Sequence, residues 1–271
     1  VPGVAKTITA KLLAKTIDTH FSRIQFTPDL MPSDILGTSV LNMKTSDFEF
    51  KRGPIFSNLV LVDEINRSPA KTQAALFEVM EERQVTIDGV KYEMKPPFMV
   101  LATQNPIEQE GTYALPEAQL DRFLFKINVG YPEIDEEVQI IKKHNDRKGA
   151  LPQSLVKSIL KENDLAEYRS KIFEIIVEEK IVKYIAEIIS KTRIHQHLYL
   201  GGSPRASIAV LMASKAFAAI NGRDFVIPED VKKSLYPVLR HRIILTPERE
   251  MEGGTADKVI EMIVQSVVVP R

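Results

Sequence analysis

The pattern of apolar and polar positions divides the chain into two regimes. In the first, Ile8, Leu12, Leu13 and Ile17 recur at helical spacing, and Ile24–Thr27 reads as a short strand. Residues 28–58 are irregular, broken by Pro32, Gly37, Gly53 and Pro54, although Asp47–Lys51 alternates and suggests a hairpin arm. Leu59–Val62 is a continuous apolar run ending in Asp63-Glu64, the signature of a strand covered on both faces in a parallel sheet. Ser68-Pro69 then offers an N-cap and a first-turn proline for a helix to about Arg83, with Leu76, Phe77, Val79 and Met80 inward. Val85–Tyr92 predicts a hairpin around Asp88-Gly89. Phe98–Thr103 predicts a second buried strand, Glu117–Phe123 a short helix and Phe125–Val129 a last strand.

After Gly130-Tyr131-Pro132 the strand signals largely stop. Ile134, Val138 and Ile141 share one helical face, as do Ile181, Val182, Ile185, Ile188 and Ile189. Ser203-Pro204 starts a helix to about Ile220, Pro228 starts another, and Thr255 precedes a last one. The expected architecture is an α/β domain with a parallel sheet over residues 1–130, followed by an all-α domain over 131–271.

Composition narrows the function classes. The chain has 271 residues, with 44% hydrophobic and 27% charged, as in globular proteins. Lys+Arg and Asp+Glu both number 36, which disfavours a whole-surface nucleic-acid binder. There is no cysteine, so disulfides and thiolate metal sites are excluded and a cytoplasmic setting is expected. No apolar run approaches a membrane span.

The candidate chemistry begins at Val1-Pro2-Gly3-Val4-Ala5-Lys6-Thr7, which has the form of the second part of a phosphate-binding loop. In such a loop backbone N–H groups wrap phosphates, a lysine meets their charge and a hydroxyl ligates Mg²⁺. Lys6 and Thr7 have the required spacing, and the following helix turns its positive end to the anion. Ala5 stands where a second glycine is usual, which demands a negative φ there. A Pro-Gly turn before an ordinary helix is the plainer alternative. Asp63, at the end of its strand, is placed to hold Mg²⁺ through water, and Glu64 to act as general base; the alternative is a solvated strand end. Asn105 is placed to position the same water, or is a turn residue before Pro106. Arg122 is a candidate for a neighbouring subunit's γ-phosphate, the alternative being a surface pair with Asp121. Arg205 lies in a helical first turn, where a cation needs an anion, either phosphate or a nearby carboxylate. His195 and His197 lack a third ligand and read as surface residues, and His241 beside Arg240 and Arg242 reads as a solvated corner, the alternative being a contact with nucleotide or a neighbour.

Taken in order, Pro2–Thr7, Gly53–Phe56, Val62–Arg67, Ala70–Gln73, Met80–Val85, Ala102–Pro106, Leu115–Phe123 and Ser203–Ala206 resemble the MoxR-type AAA+ ATPases, in their helix-2-insert branch. The resemblance covers almost the whole chain. It lacks the strand before the phosphate loop and the loop's first glycine, so the sequence is read as truncated at its N-terminus. The resemblance implies a P-loop domain with a small all-α lid, binding ATP and Mg²⁺. It assigns Lys6 and Thr7 to Walker A and Asp63 and Glu64 to Walker B. Asn105 becomes sensor 1, Arg122 the arginine finger and Arg205 sensor 2, and Ala5 is usual in this branch. It further implies a homo-oligomeric ring, expected to be a hexamer, that remodels a protein client or metalloenzyme and partners a von Willebrand factor A domain protein. Residues 28–58 would hold the helix-2 insert and Val85–Met94 the pre-sensor-1 hairpin, both facing the client. Relatives that remodel DNA or serve metal chelatases give a second reading, disfavoured for DNA because Lys91 and Lys95 are the hairpin's only nearby cations. A non-hydrolysing nucleotide-gated scaffold is a third.

Overall fold

The structure, a computed structural model, describes residues 5–104, 113, 115–147 and 156–270. Contacts divide the chain into two compact units, residues 1–114 with 129–166, and residues 115–128 with 167–271.

In the first unit, helix α1 (Lys6–Ile17) leads into strand β1 (Phe21–Gln25), and a short helix α2 (Pro32–Leu36) leads into the hairpin β2 (Gly37–Asn42) and β3 (Asp47–Arg52). Strand β4 (Leu59–Asp63) follows, then α3 (Ala70–Glu82), the hairpin β5 (Gln84–Ile87) and β6 (Val90–Glu93), and strand β7 (Met99–Ala102). The sheet order is β1-β4-β7, all parallel, with Gln25 opposite Asp63 and Val62 opposite Ala102. All five residues of β4 are buried, as its unbroken apolarity requires. β7 departs from expectation: Met99 is exposed, because among the described residues β7 pairs with β4 alone.

The buried face of α1 is also not the one its large side chains suggest. Ala10 and Ala14 face Leu59 and Leu61, while Leu13 is exposed. Small residues let the helix lie close on the strand. Helix α3 is capped at Pro69 without a side-chain hydrogen bond, and the buried Ser68 hydroxyl has no hydrogen-bond partner among the described residues, so Ser68 is not its cap. Asp88 and Gly89, both at positive φ, form the β5–β6 turn as their types require. Phe50 and Tyr92 rings, 4.5 Å apart, join the two hairpins.

Helix α4 (Glu117–Leu120) is shorter than expected, and residues 125–129 form no strand. Their backbone finds other partners: the Lys126 N–H donates to Pro237 O, and Arg240 donates to Lys126 O. Helix α5 (Ile134–Asp146) has no buried residue, and its expected apolar face is exposed, Ile134 at 80%.

The helical unit comprises most of α6 (Glu162–Glu174), with α7 (Glu179–Ile194), β8 (Leu198–Leu200), α8 (Pro204–Ile220), α9 (Pro228–Leu239), β9 (Ile244–Leu245), α10 (Pro247–Met251) and α11 (Ala256–Gln265). Its core joins Ile185 and Ile188 of α7, Val210 of α8, Leu235 of α9 and Ile260 of α11. Val182 is the exception on its predicted face and is exposed. Thr255 caps α11 by accepting from the Lys258 N–H. Among the described residues no helix is long and apolar enough to cross a membrane, and no cluster of three metal-ligating side chains occurs.

Candidate functional site

Lys6 and Thr7 are the first two residues of α1, whose first turn carries no acidic side chain. An anion there meets the helix dipole without a competing carboxylate. Ala5, immediately before, has φ 58° and ψ 20°, in the left-handed region, contrary to the negative φ expected of it. The chain turns there into the helix, with Ala5 O accepting both the Thr9 N–H and the Thr9 hydroxyl. That conformation costs an L-residue roughly 1–2 kcal/mol. Ala5→Gly is therefore expected to raise stability by about 1 kcal/mol in denaturant unfolding; a loss of stability would contradict the left-handed geometry. Pro2, Gly3 and Val4 lie outside the described residues.

Asp63 and Glu64 stand at the carboxyl end of β4, where α/β folds bind ligands. Asp63 is buried; its Oδ2 accepts Arg23 Nε at 2.6 Å and its Oδ1 the Thr103 hydroxyl at 3.1 Å. Glu64 has φ 57°, and its N–H donates to Thr103 Oγ1 at 3.0 Å, so one hydroxyl ties both carboxylate residues together. The Glu64 Oε2 accepts Gln25 Nε2 at 2.9 Å and Arg67 Nη1 at 3.1 Å. A non-glycine residue held at positive φ by its surroundings, with its carboxylate fixed, is a mark of functional strain. Arg23, Gln25, Thr103 and Arg67 were not singled out from the sequence. The available signal was Arg23 and Gln25 two apart at the end of a strand, hence on one face. Asn105 lies outside the described residues.

Arg122 and Arg205 belong to the helical unit. Arg205 lies in the first turn of α8, with Nε 4.0 Å from Asp121 Oδ2, and the Ser203 hydroxyl donates to the same oxygen at 3.3 Å. The anion that its position asks for is thus supplied here by Asp121. Arg122 follows Asp121 directly, its N–H donating to Gln119 O.

The Arg240–Arg242 corner departs most from expectation. His241 and Arg242 are both buried. The Arg242 guanidinium meets Asp121 Oδ1 at 2.6 Å and the carbonyls of Asp121, Phe123, Leu124 and Val238. His241 Nε2 lies 2.9 Å from Phe123 O, which only a protonated Nε2 satisfies; Nδ1 is buried with no hydrogen-bond partner among the described residues. Burial, aided by the charges of Arg242 and Lys126 and opposed by Phe123 O and Asp121, pushes the imidazole down to about 4. A base depressed in the fold binds fewer protons there than when unfolded. Its stability contribution is complete above the ordinary value near 6.5 and is lost as pH falls toward 4, up to about 3 kcal/mol. Unfolding measured between pH 7 and pH 4 is expected to show this slope, and His241→Gln to flatten it.

Comparison with known proteins bears on the family of the chain. A model of the ATPase family associated with various cellular activities (AAA) matches residues 1–125, and one of an AAA lid domain matches residues 190–263. The chain is 46% identical over 270 residues to the uncharacterized protein YeaC of Bacillus subtilis, covering all of this chain and 83% of that one. It is 44% identical over 280 residues to the protein named chaperone MoxR1 of Mycobacterium tuberculosis, covering all of this chain and 73% of that one. A crystal structure from Cytophaga hutchinsonii, assigned as an ATPase, superposes with a TM-score of 0.91 at 45% identity, covering the whole chain and 84% of its own. With relatives of this similarity across its full length, the chain belongs to the MoxR-type AAA+ ATPases.

Proposed function

We propose that the protein hydrolyses ATP with Mg²⁺, as a ring in which neighbouring copies complete each other's sites, and that it remodels a protein client. The observation that carries this reading is the end of β4: a buried Asp63 and a strained, tethered Glu64 on one strand. That strand packs on the helix whose first turn presents Lys6 and Thr7. The donor set fits a magnesium nucleotide. A buried carboxylate at the strand end can serve a cation, and the α1 N-terminus, clear of acidic residues, can serve phosphate.

A bound Mg²⁺ would supply neutralisation of the phosphate charge. Lys6 would meet the phosphate charge, and the Thr7 hydroxyl and the Asp63 carboxylate would hold the ion. Glu64 accepts a proton from the attacking water, with Asn105 orienting it. Arg205 senses the nucleotide in its own subunit, while Arg122 serves the neighbouring one, in a ring expected to be a hexamer. The exposed hairpin tip supports a protein client over nucleic acid: Leu41, Met43 and Phe48 are exposed there, with Met43 at 84% and Phe48 at 75%. A von Willebrand factor A domain protein is the expected partner.

The full-length protein is expected to turn over ATP only with Mg²⁺. Lys6→Ala should abolish binding of a fluorescent ATP analogue, and unaltered binding would overturn the reading.

A further inference from the structure

We propose that Arg242 is the positioning residue for Arg122, holding it where it acts on the adjoining subunit. The inference rests on the reading of Arg122 as a group working in trans.

An arginine side chain has five N–H donors, and five contacts are made here. Four bracket Arg122: Nε to Asp121 Oδ1 at 2.6 Å, Nη2 to Asp121 O at 3.0 Å, Nη2 to Phe123 O at 2.7 Å and Nη1 to Leu124 O at 3.0 Å. The fifth, Nη1 to Val238 O at 2.5 Å, anchors the guanidinium to the last turn of α9. With a side chain only 3% exposed, Arg242 fixes the backbone on both sides of Arg122 to a rigid, buried helix end.

Apolar burial does not hold this segment. Leu124, Phe125 and Ile127 are exposed, the last at 72%. Burying a guanidinium is costly unless every donor is satisfied. Here that cost is met to hold four consecutive residues whose own side chains contribute little core. His241 donating to Phe123 O and the Lys126 N–H donating to Pro237 O extend the same clamp. Lysine cannot replace it, since a compact ammonium with three donors lacks the planar fork.

Asp121 links the clamp to the second candidate arginine. It accepts from Arg242 on one oxygen, while Ser203 and Arg205 approach the other.

The test uses full-length protein carrying Arg242→Lys, with Asp121→Asn as the milder variant should the first fail to assemble. Turnover is expected to fall on the order of 10²-fold, the size of effect that a misplacement of about 1 Å produces, with nucleotide affinity within about threefold. Hydrogen exchange should show lost protection over residues 118–126 and unchanged protection in the α7 and α9 core. Mixing the variant with Glu64→Gln subunits should restore part of the turnover, because the Glu64→Gln subunits supply a well-placed Arg122. If Arg122→Ala regains activity with Glu64→Gln but neither clamp variant does, the positioning role is wrong and the trans reading stands. Unchanged exchange over 118–126 likewise overturns it. If Arg122→Ala also regains nothing, the trans reading itself fails, and the Arg242 proposal falls with it.

Discussion

Glu64→Gln in the full-length protein is expected to reduce ATP turnover by about 10³-fold while leaving nucleotide affinity within a few-fold. General-base catalysis by a positioned side chain contributes roughly 10²–10⁴ in rate, and the amide removes that capacity without changing volume. The amide oxygen can still accept from Gln25 and Arg67, which now hold the Glu64 Oε2, so the left-handed backbone and the Thr103 bridge should survive. Single-turnover kinetics with a separate binding isotherm would separate the two effects. Turnover within threefold of wild type would remove Glu64 from the chemistry.

The second large effect is expected at Arg122. Arginine fingers are worth about 10³–10⁵ in rate, or roughly 4–7 kcal/mol of barrier. Arg122→Ala should lose turnover on that scale, and mixing it with Glu64→Gln should recover a fraction that peaks at intermediate ratios. Each inactive subunit then supplies the group its neighbour lacks. No recovery at any ratio would place the Arg122 contribution within its own subunit.

How much of this was legible in the sequence differs by region, for physical reasons. The β4 run announced itself because a strand covered on both faces must be apolar throughout, and Ser203-Pro204 marked the start of α8 through the first-turn proline, the Ser203 hydroxyl being spent on Asp121 and not on the cap. Both signals lie within a few residues. The last expected strand, Phe125–Val129, failed because apolarity says only that a segment suits a sheet, not that a neighbour exists to pair with it; its backbone bonds instead to Pro237 and Arg240. The exposed face of α5 failed in the same way. Arg242 and His241 were misread as solvated because buried polar groups depend on partners distant in the chain, here residues 121–124. Arg23 and Gln25 were missed for a similar reason, since only strand pairing brings them to Asp63 and Glu64.

The two alanines beneath α1 act as a gauge block. Because Ala10 and Ala14 contribute only methyl groups, the helix axis rides at a fixed, small height above β4. The lysine and threonine at one end of the helix are thereby spaced from the acidic tip of the strand by packing thickness. A leucine at either position would shim the helix outward and detune the spacing while leaving every polar group intact.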